Sequence, residues 1–183
     1  MNWREIRDHI LKLLFIKDFN KDKSIEDLAK VYFKYLPYYD DENEVKDGYD
    51  LYVDINTTSL YDFLNVQNEV DFENLYIKEI IYKVNEILIH KDELIEDIKN
   101  VYKEEAGWKF NRIMNIDLLI LLIATYEIKY VKNIDMEVSI NEAVMLAKCY
   151  GFDGKGKQIN GILKEVYNTY KKWYIQYHKL IVT

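Results

Sequence analysis

The run Ile116–Tyr130, IDLLILLIATYEIKY, is apolar at nearly every position until Glu127. A helix that is apolar all round, rather than along one stripe, has to be covered on most sides. The run therefore belongs at the centre of the molecule, with other helices laid around it. The rest of the chain is suited to supply them. Its 183 residues include one proline and six glycines, so few positions interrupt helical hydrogen bonding. With 49% hydrophobic and 31% charged residues, the chain is globular and large enough to bury a core. The expectation is an all-α fold in one domain spanning 1–183.

Helical periodicity places the other elements. Trp3 to Phe19 reads as an amphipathic helix with Ile6, Ile10, Leu13, Leu14 and the stem of Lys17 on one face. Ser24 caps a second helix, with Asp27 three residues on, running from Ile25 to about Leu36 before Pro37 stops it. Residues 38–54 are acidic and irregular (Asp40, Asp41, Glu42, Glu44, Asp47, Asp50 and Asp54 against Lys46), as expected of a surface loop or insertion. A short helix is expected near 58–66. A long one runs from about Asn74 to Ile89, and another from Asp92 to about Tyr102. After the central run come a loop, Val131 to Val138, and the helix SINEAVMLAKCYG. Ser139 and Glu142 have the spacing of a capping box. Ala143, Leu146 and Ala147 form its packing stripe, and Gly151 is placed to end it in the left-handed conformation. A last helix covers about Lys157 to Tyr177. The chain thus divides into N-terminal helices with an acidic insertion (1–66) and a C-terminal helical part with an extended last helix (67–183).

Several functions are poorly supported. His9, His90 and His178 are far apart and have no cysteine or carboxylate at ligand spacing, so neither a metal nor another cofactor is expected. Gly154 and Gly156 lack the lysine and hydroxyl context of a phosphate loop. No serine or cysteine has a base at a recognisable spacing, so no enzyme is expected. The lone Cys149 cannot form an internal disulfide and fits a reducing compartment. The first residues, MNWREIRDHILKLL, carry charges inside their apolar pattern, unlike a signal peptide. The longest apolar run, Leu118–Tyr126, is far shorter than the roughly 20 residues that span a bilayer. A soluble cytoplasmic protein is expected. The net charge of −7 opposes bulk affinity for nucleic acid, yet it is unevenly placed. Residues 155–183 hold six lysines against Glu165, a local +5, leaving −12 on residues 1–154. A basic end on an acidic body can bind a polyanion locally, or be only a solvated helix face.

The order of segments from Gly107 to Val166 resembles the C-terminal half of the NusB family, helical transcription antitermination factors of bacteria. The residues that carry the resemblance are the central apolar run ending on Tyr126-Glu127, the helix from Ser139 to Gly151, and QINGILKEV after it. Trp108 and Arg112 match the Trp-x-x-x-Arg found before the central helix in many relatives. The resemblance implies an all-α bundle of two packed helical subdomains. It also implies a non-catalytic factor that binds a short single-stranded RNA element, pairs with a small-subunit ribosomal protein and joins the transcription elongation complex. Relatives differ in self-association, so a homodimer is open.

Residue by residue, the resemblance places RNA contacts on Arg4, Arg7 and Lys12 of the first helix. It places others on Lys155, Lys157 and Gln158 in the loop before the last helix. Glu5 and Asp8 interrupt the first group, and ordinary surface charge is the competing reading for Arg4 and Arg7. Gln158 stands where the family pattern has an aromatic. It can bond a base edge but offers no stacking platform, which is worth about 1–3 kcal/mol per base. Asn160 and Gly161 match the pattern. The partner surface would include Phe15 as an aromatic anchor and Asp117 as a rim carboxylate, with core packing the competing reading for Phe15. Tyr167, Tyr170, Tyr174 and Tyr177 form one helical stripe that suits packing more than nucleic acid. The alternative function is a NusB-like protein-interaction module that has lost RNA binding. An RNA-binding domain of a methyltransferase would need a methyl-donor domain for which this chain has no room.

Overall fold

The structure, a computed structural model, describes residues 3–34, 74–102, 110, 113–151 and 154–181, with 173–181 described by their backbone alone. Among the described residues there are seven α-helices and no strand. They are α1 (Trp3–Phe19), α2 (Ile25–Lys34), α3 (Leu75–Ile89), α4 (Lys91–Val101), α5 (Asn115–Tyr130), α6 (Met136–Tyr150) and α7 (Lys155–Ile181). The acidic stretch 38–54, the helix expected near 58–66, and Trp108 and Arg112 lie outside the described residues.

The apolar run occupies the centre, as its pattern demands. In α5 every residue from Leu119 to Ile128 is buried, together with Asp117. α5 packs against α1, α3, α4, α6 and α7. α1, α2 and α3 pack on one another, and so do α4 and α7, and α6 and α7. The seam between α1 and α5 joins the two groups. Every helix contributes to a continuous hydrophobic core, including Ile10, Leu14, Ala29, Ile80, Val84, Leu94, Ile98, Leu121, Leu146, Ile159 and Leu163. Among the described residues no helix is long and apolar enough to cross a membrane.

The helix starts follow local chemistry. At α2, the Asp27 amide donates to Ser24 Oγ at 3.1 Å, and the Ser24 hydroxyl donates to the Asp27 carboxylate at 2.8 Å. At α3, Asn74 Oδ1 accepts from the Tyr76 amide at 2.9 Å. α6 corrects the expectation. It begins at Met136, and Asp135 is its N-cap, accepting from the Glu137 amide at 3.0 Å. Asp135 stands one turn upstream with a stronger capping side chain, so Ser139 and Glu142 fall inside the helix and bond elsewhere. Gly151 does end α6, but in extended conformation with φ −97 and ψ 172. The left-handed turn falls at Gly154, φ 86. That turn completes the reversal, so Lys155, Lys157 and Gln158 lie in the first turns of α7 and not in a loop.

Candidate nucleic-acid and partner interface

α1 differs most from a surface helix. Its apolar stripe is buried as expected, but so are Arg7, Asp8 and His9. The polar residues are accommodated because each meets a partner from a distant helix. Arg7 is 3% exposed and holds the Glu127 carboxylate with Nε at 2.8 Å and Nη2 at 3.1 Å. Its Nη1 donates to the Trp3 carbonyl at 3.4 Å. Ser139 Oγ donates to the second Glu127 oxygen at 2.7 Å. One turn earlier, Arg4 grips Glu142 in the same two-pronged way, both bonds 2.9 Å. Those bonds from Arg4 hold the Glu142 carboxyl below its ordinary pKa. Of the two residues read as a capping box, Glu142 therefore ties α1 to α6, and Ser139 braces the α5 carboxylate that holds Arg7.

The remaining α1 polar groups are also engaged. Lys12 Nζ lies 2.6 Å from Asp8 Oδ2, and the Tyr150 hydroxyl bonds the same carboxylate. His9 Nδ1 and the Tyr32 hydroxyl are 2.7 Å apart. Burial drives the His9 pKa down to about 4, and burial raises that of Tyr32.

At the start of α7, Lys155 turns inward. Its Nζ lies 2.9 Å from Asp117 Oδ2, and Asp117 is 1% exposed. Asp117 is thus a buried carboxylate and not a rim contact, because the first turn of α5 lies under the first turn of α7. Neither Asp117 oxygen has an aligned hydrogen-bond donor, so the pair is held by charge and distance. Gln158 accepts from Lys155 Nζ at 3.3 Å and donates to the Tyr102 hydroxyl at 3.2 Å, which ties α7 to the end of α4. Lys157 is exposed, and Gly161 has open space around it. Along the tyrosine stripe, the Tyr170 hydroxyl donates to the Lys129 carbonyl at 3.3 Å, a packing contact on α5. The side chains of Tyr174 and Tyr177 lie outside the described residues.

Phe15 is 39% exposed, and Phe19 beside it is 72% exposed, their rings 5.1 Å apart. Beside them, Asp18 Oδ1 accepts from Lys91 Nζ at 3.1 Å and Asp18 Oδ2 from Asn115 Nδ2 at 3.0 Å. Met114, also exposed, adjoins Asn115. This face joins the end of α1 to the starts of α4 and α5. Phe15 was legible in the sequence; Phe19 and Met114 were not singled out, although two aromatics one turn apart near a helix end are a visible signal. Among the described residues no group of three or more His, Cys, Asp or Glu side chains is placed to hold a metal ion.

The all-α fold has counterparts among known proteins. The family model for the NusB family matches residues 4–168. A Transcription antitermination protein NusB from Lachnoclostridium phytofermentans is 31% identical over 91% of this chain and 98% of its own. Another of that name from Clostridium novyi is 34% identical over 89% of this chain and 96% of its own. A solved structure of T. maritima NusB superposes with a TM-score of 0.60 over 92% of each chain at 23% identity, a likeness of fold. With residues 4–168 matched by the family model and relatives above 30% identical along nearly their full length, this chain belongs to the NusB family.

Proposed function

We propose that this chain is a non-catalytic transcription antitermination factor. It binds a short single-stranded RNA element in company with a small-subunit ribosomal protein and joins the elongation complex in the bacterial cytoplasm. The observation that carries the reading is the family match over residues 4–168, with curated relatives bearing the name Transcription antitermination protein NusB along nearly their full length. In this reading Lys157, Gln158 and the outer edge of Arg4 meet the RNA. Arg7 and Lys155 act from behind, holding α1 and α7 in place through Glu127 and Asp117, while Lys12 pairs with Asp8 within α1. Phe15 and Phe19 offer the partner an aromatic anchor with a polar rim at Asp18, Lys91 and Asn115.

A second reading has its own support. Arg4, Arg7, Lys12 and Lys155 each face a carboxylate. A cation already paired releases little when a phosphate arrives, and affinity for RNA follows the phosphates neutralised. In this reading the chain is a protein-interaction module that has lost RNA binding.

One titration separates the two. A labelled pool of short single-stranded RNA is titrated with the full chain at about 50 and 200 mM salt, with and without the ribosomal protein. Salt-sensitive binding tightened by the partner is expected. A stable protein complex with no RNA signal at either salt would instead establish the interaction module.

A further inference from the structure

Arg4, Arg7 and Lys12 of α1 and Lys155 of α7 are paired with carboxylates, whereas the described α7 lysines after Lys155 are not. Lys157, Lys164, Lys171 and Lys172 are all exposed. Lys157, Lys164 and Lys171 recur every second turn, so they fall on one face of the helix with little angular drift. Asn168 and the bare backbone at Gly161 lie between them on that face, and nothing would crowd even a side chain at Gly161. Among the described residues no ion pair occupies Lys157, Lys164 or Lys172. Lys171 Nζ is placed 5.6 Å over the Tyr167 ring, which steadies it without neutralising it. The opposite face of α7 is fixed to the core by Ile159, Ile162, Leu163 and Val166. The lysine face therefore cannot roll inward. From Lys157 to Lys172 it extends about 22 Å at 1.5 Å per residue. Lys171 and Lys172 lie past residue 168, where the family match ends.

We propose that this ridge is a second RNA contact, a rail for the phosphate backbone of single-stranded RNA continuing beyond the element bound at the start of α7. The inference rests on the RNA-binding reading above. Its chemistry is that of a point-charge surface. Lysine ammoniums meet phosphates without the two-pronged geometry that reads bases, so the rail adds affinity without adding sequence preference. Unpaired lysines are the ones that release counterions when phosphates replace them. The partner class is a polyanion because the ridge is the basic part of a chain whose net charge is −7. An acidic protein would need apolar anchors, and the residues between the lysines on this face are Gly161 and Asn168.

The test uses the full chain and two random-sequence pools of single-stranded RNA, about 8 and about 20 nucleotides long. The wild type should bind the longer pool at least tenfold more tightly at low salt, with a salt slope steeper by about 2, near 0.7 per phosphate. Lys164→Gln/Lys171→Gln/Lys172→Gln should lose that advantage while keeping its affinity for the short pool. The corresponding triple arginine variant should retain it. Circular dichroism confirms that α7 is intact in both. If the short pool binds and the longer pool gains nothing, or if the glutamine variant keeps the gain, the rail is wrong and the RNA-binding reading stands. If neither pool binds with or without the ribosomal protein, both fall together.

Discussion

Arg7 and Glu127, 120 residues apart in the chain, meet as a buried two-pronged pair with bonds of 2.8 and 3.1 Å. Neither is more than a few per cent exposed. Ser139 occupies the carboxylate from the other side. A buried pair of this kind is strongly asymmetric in energy: well-packed apolar replacements of both partners can be nearly neutral, while removing one leaves an uncompensated charge.

Arg7→Ala or Glu127→Ala alone should lower stability by about 3–5 kcal/mol. The double variant Arg7→Met/Glu127→Leu should recover most of that loss. Urea unfolding of the three variants decides it, and a double variant as unstable as either single one would show that the pair is not the source.

Two glycines should respond in opposite senses. A Cβ on Gly151 would lie 2.5 Å from the Ala147 carbonyl oxygen and 3.2 Å from Lys155 Cβ. Gly151→Ala should therefore cost about 1–3 kcal/mol through strain at the α6–α7 turn. Gly161 lies inside α7 with nothing within 4 Å of its Cβ position. Gly161→Ala should stabilise by about 0.5–1 kcal/mol. Thermal melts that moved the same way for both would refute the distinction.

His9 sets a pH dependence. Its folded pKa of about 4 lies below the ordinary 6.5 because burial opposes the charged ring, with Asp8 and Lys12 acting in opposite senses. The unfolded chain therefore takes up the proton first as pH falls. Stability should be flat above about 6.5 and fall as pH drops from 6.5 towards 4, by up to about 3 kcal/mol across that window. Glu142, held low by Arg4, adds its own loss only below the ordinary carboxylate range. His9→Phe should flatten the curve between pH 5 and 6.5 whatever its offset. Guanidinium unfolding at several pH values reads this directly, and an unchanged slope would assign the dependence elsewhere.

The aromatic pair at the end of α1 separates binding from folding. Phe15→Ala/Phe19→Ala should change stability by less than about 1 kcal/mol, since both rings face solvent. The same variant should weaken binding of the proposed ribosomal partner by about 2 kcal/mol, near thirtyfold. Calorimetric titration tests it; undiminished partner affinity would remove this face from the interface.

The central helix, the bounds of α3 and the cap at Ser24 were legible because periodicity and capping are local patterns. Asp135 outcompeting Ser139 was a matter of two capping signals one turn apart, with only the fold to choose between them. The roles of Arg4, Arg7, Asp117 and Lys155 were not legible. An arginine on a helix looks the same whether it faces water or a carboxylate more than a hundred residues away, and only the packing of α1 on α5 and α6 distinguishes the two. Phe15 was open between core and surface for the same reason.

The long-range clamps also impose an order of events on synthesis. Glu127 and Glu142 follow Arg7 and Arg4 by 120 and 138 residues. At roughly 5–20 residues per second, α1 waits roughly 6 to 28 s after leaving the ribosome before either carboxylate exists. Until then its guanidinium groups lack these two carboxylates, and the first helix made is secured only after α5 and α6 have followed it. A nascent chain stalled before α5 would carry Arg4 and Arg7 without their carboxylates, ready to be held by a chaperone or to grip the wrong anion.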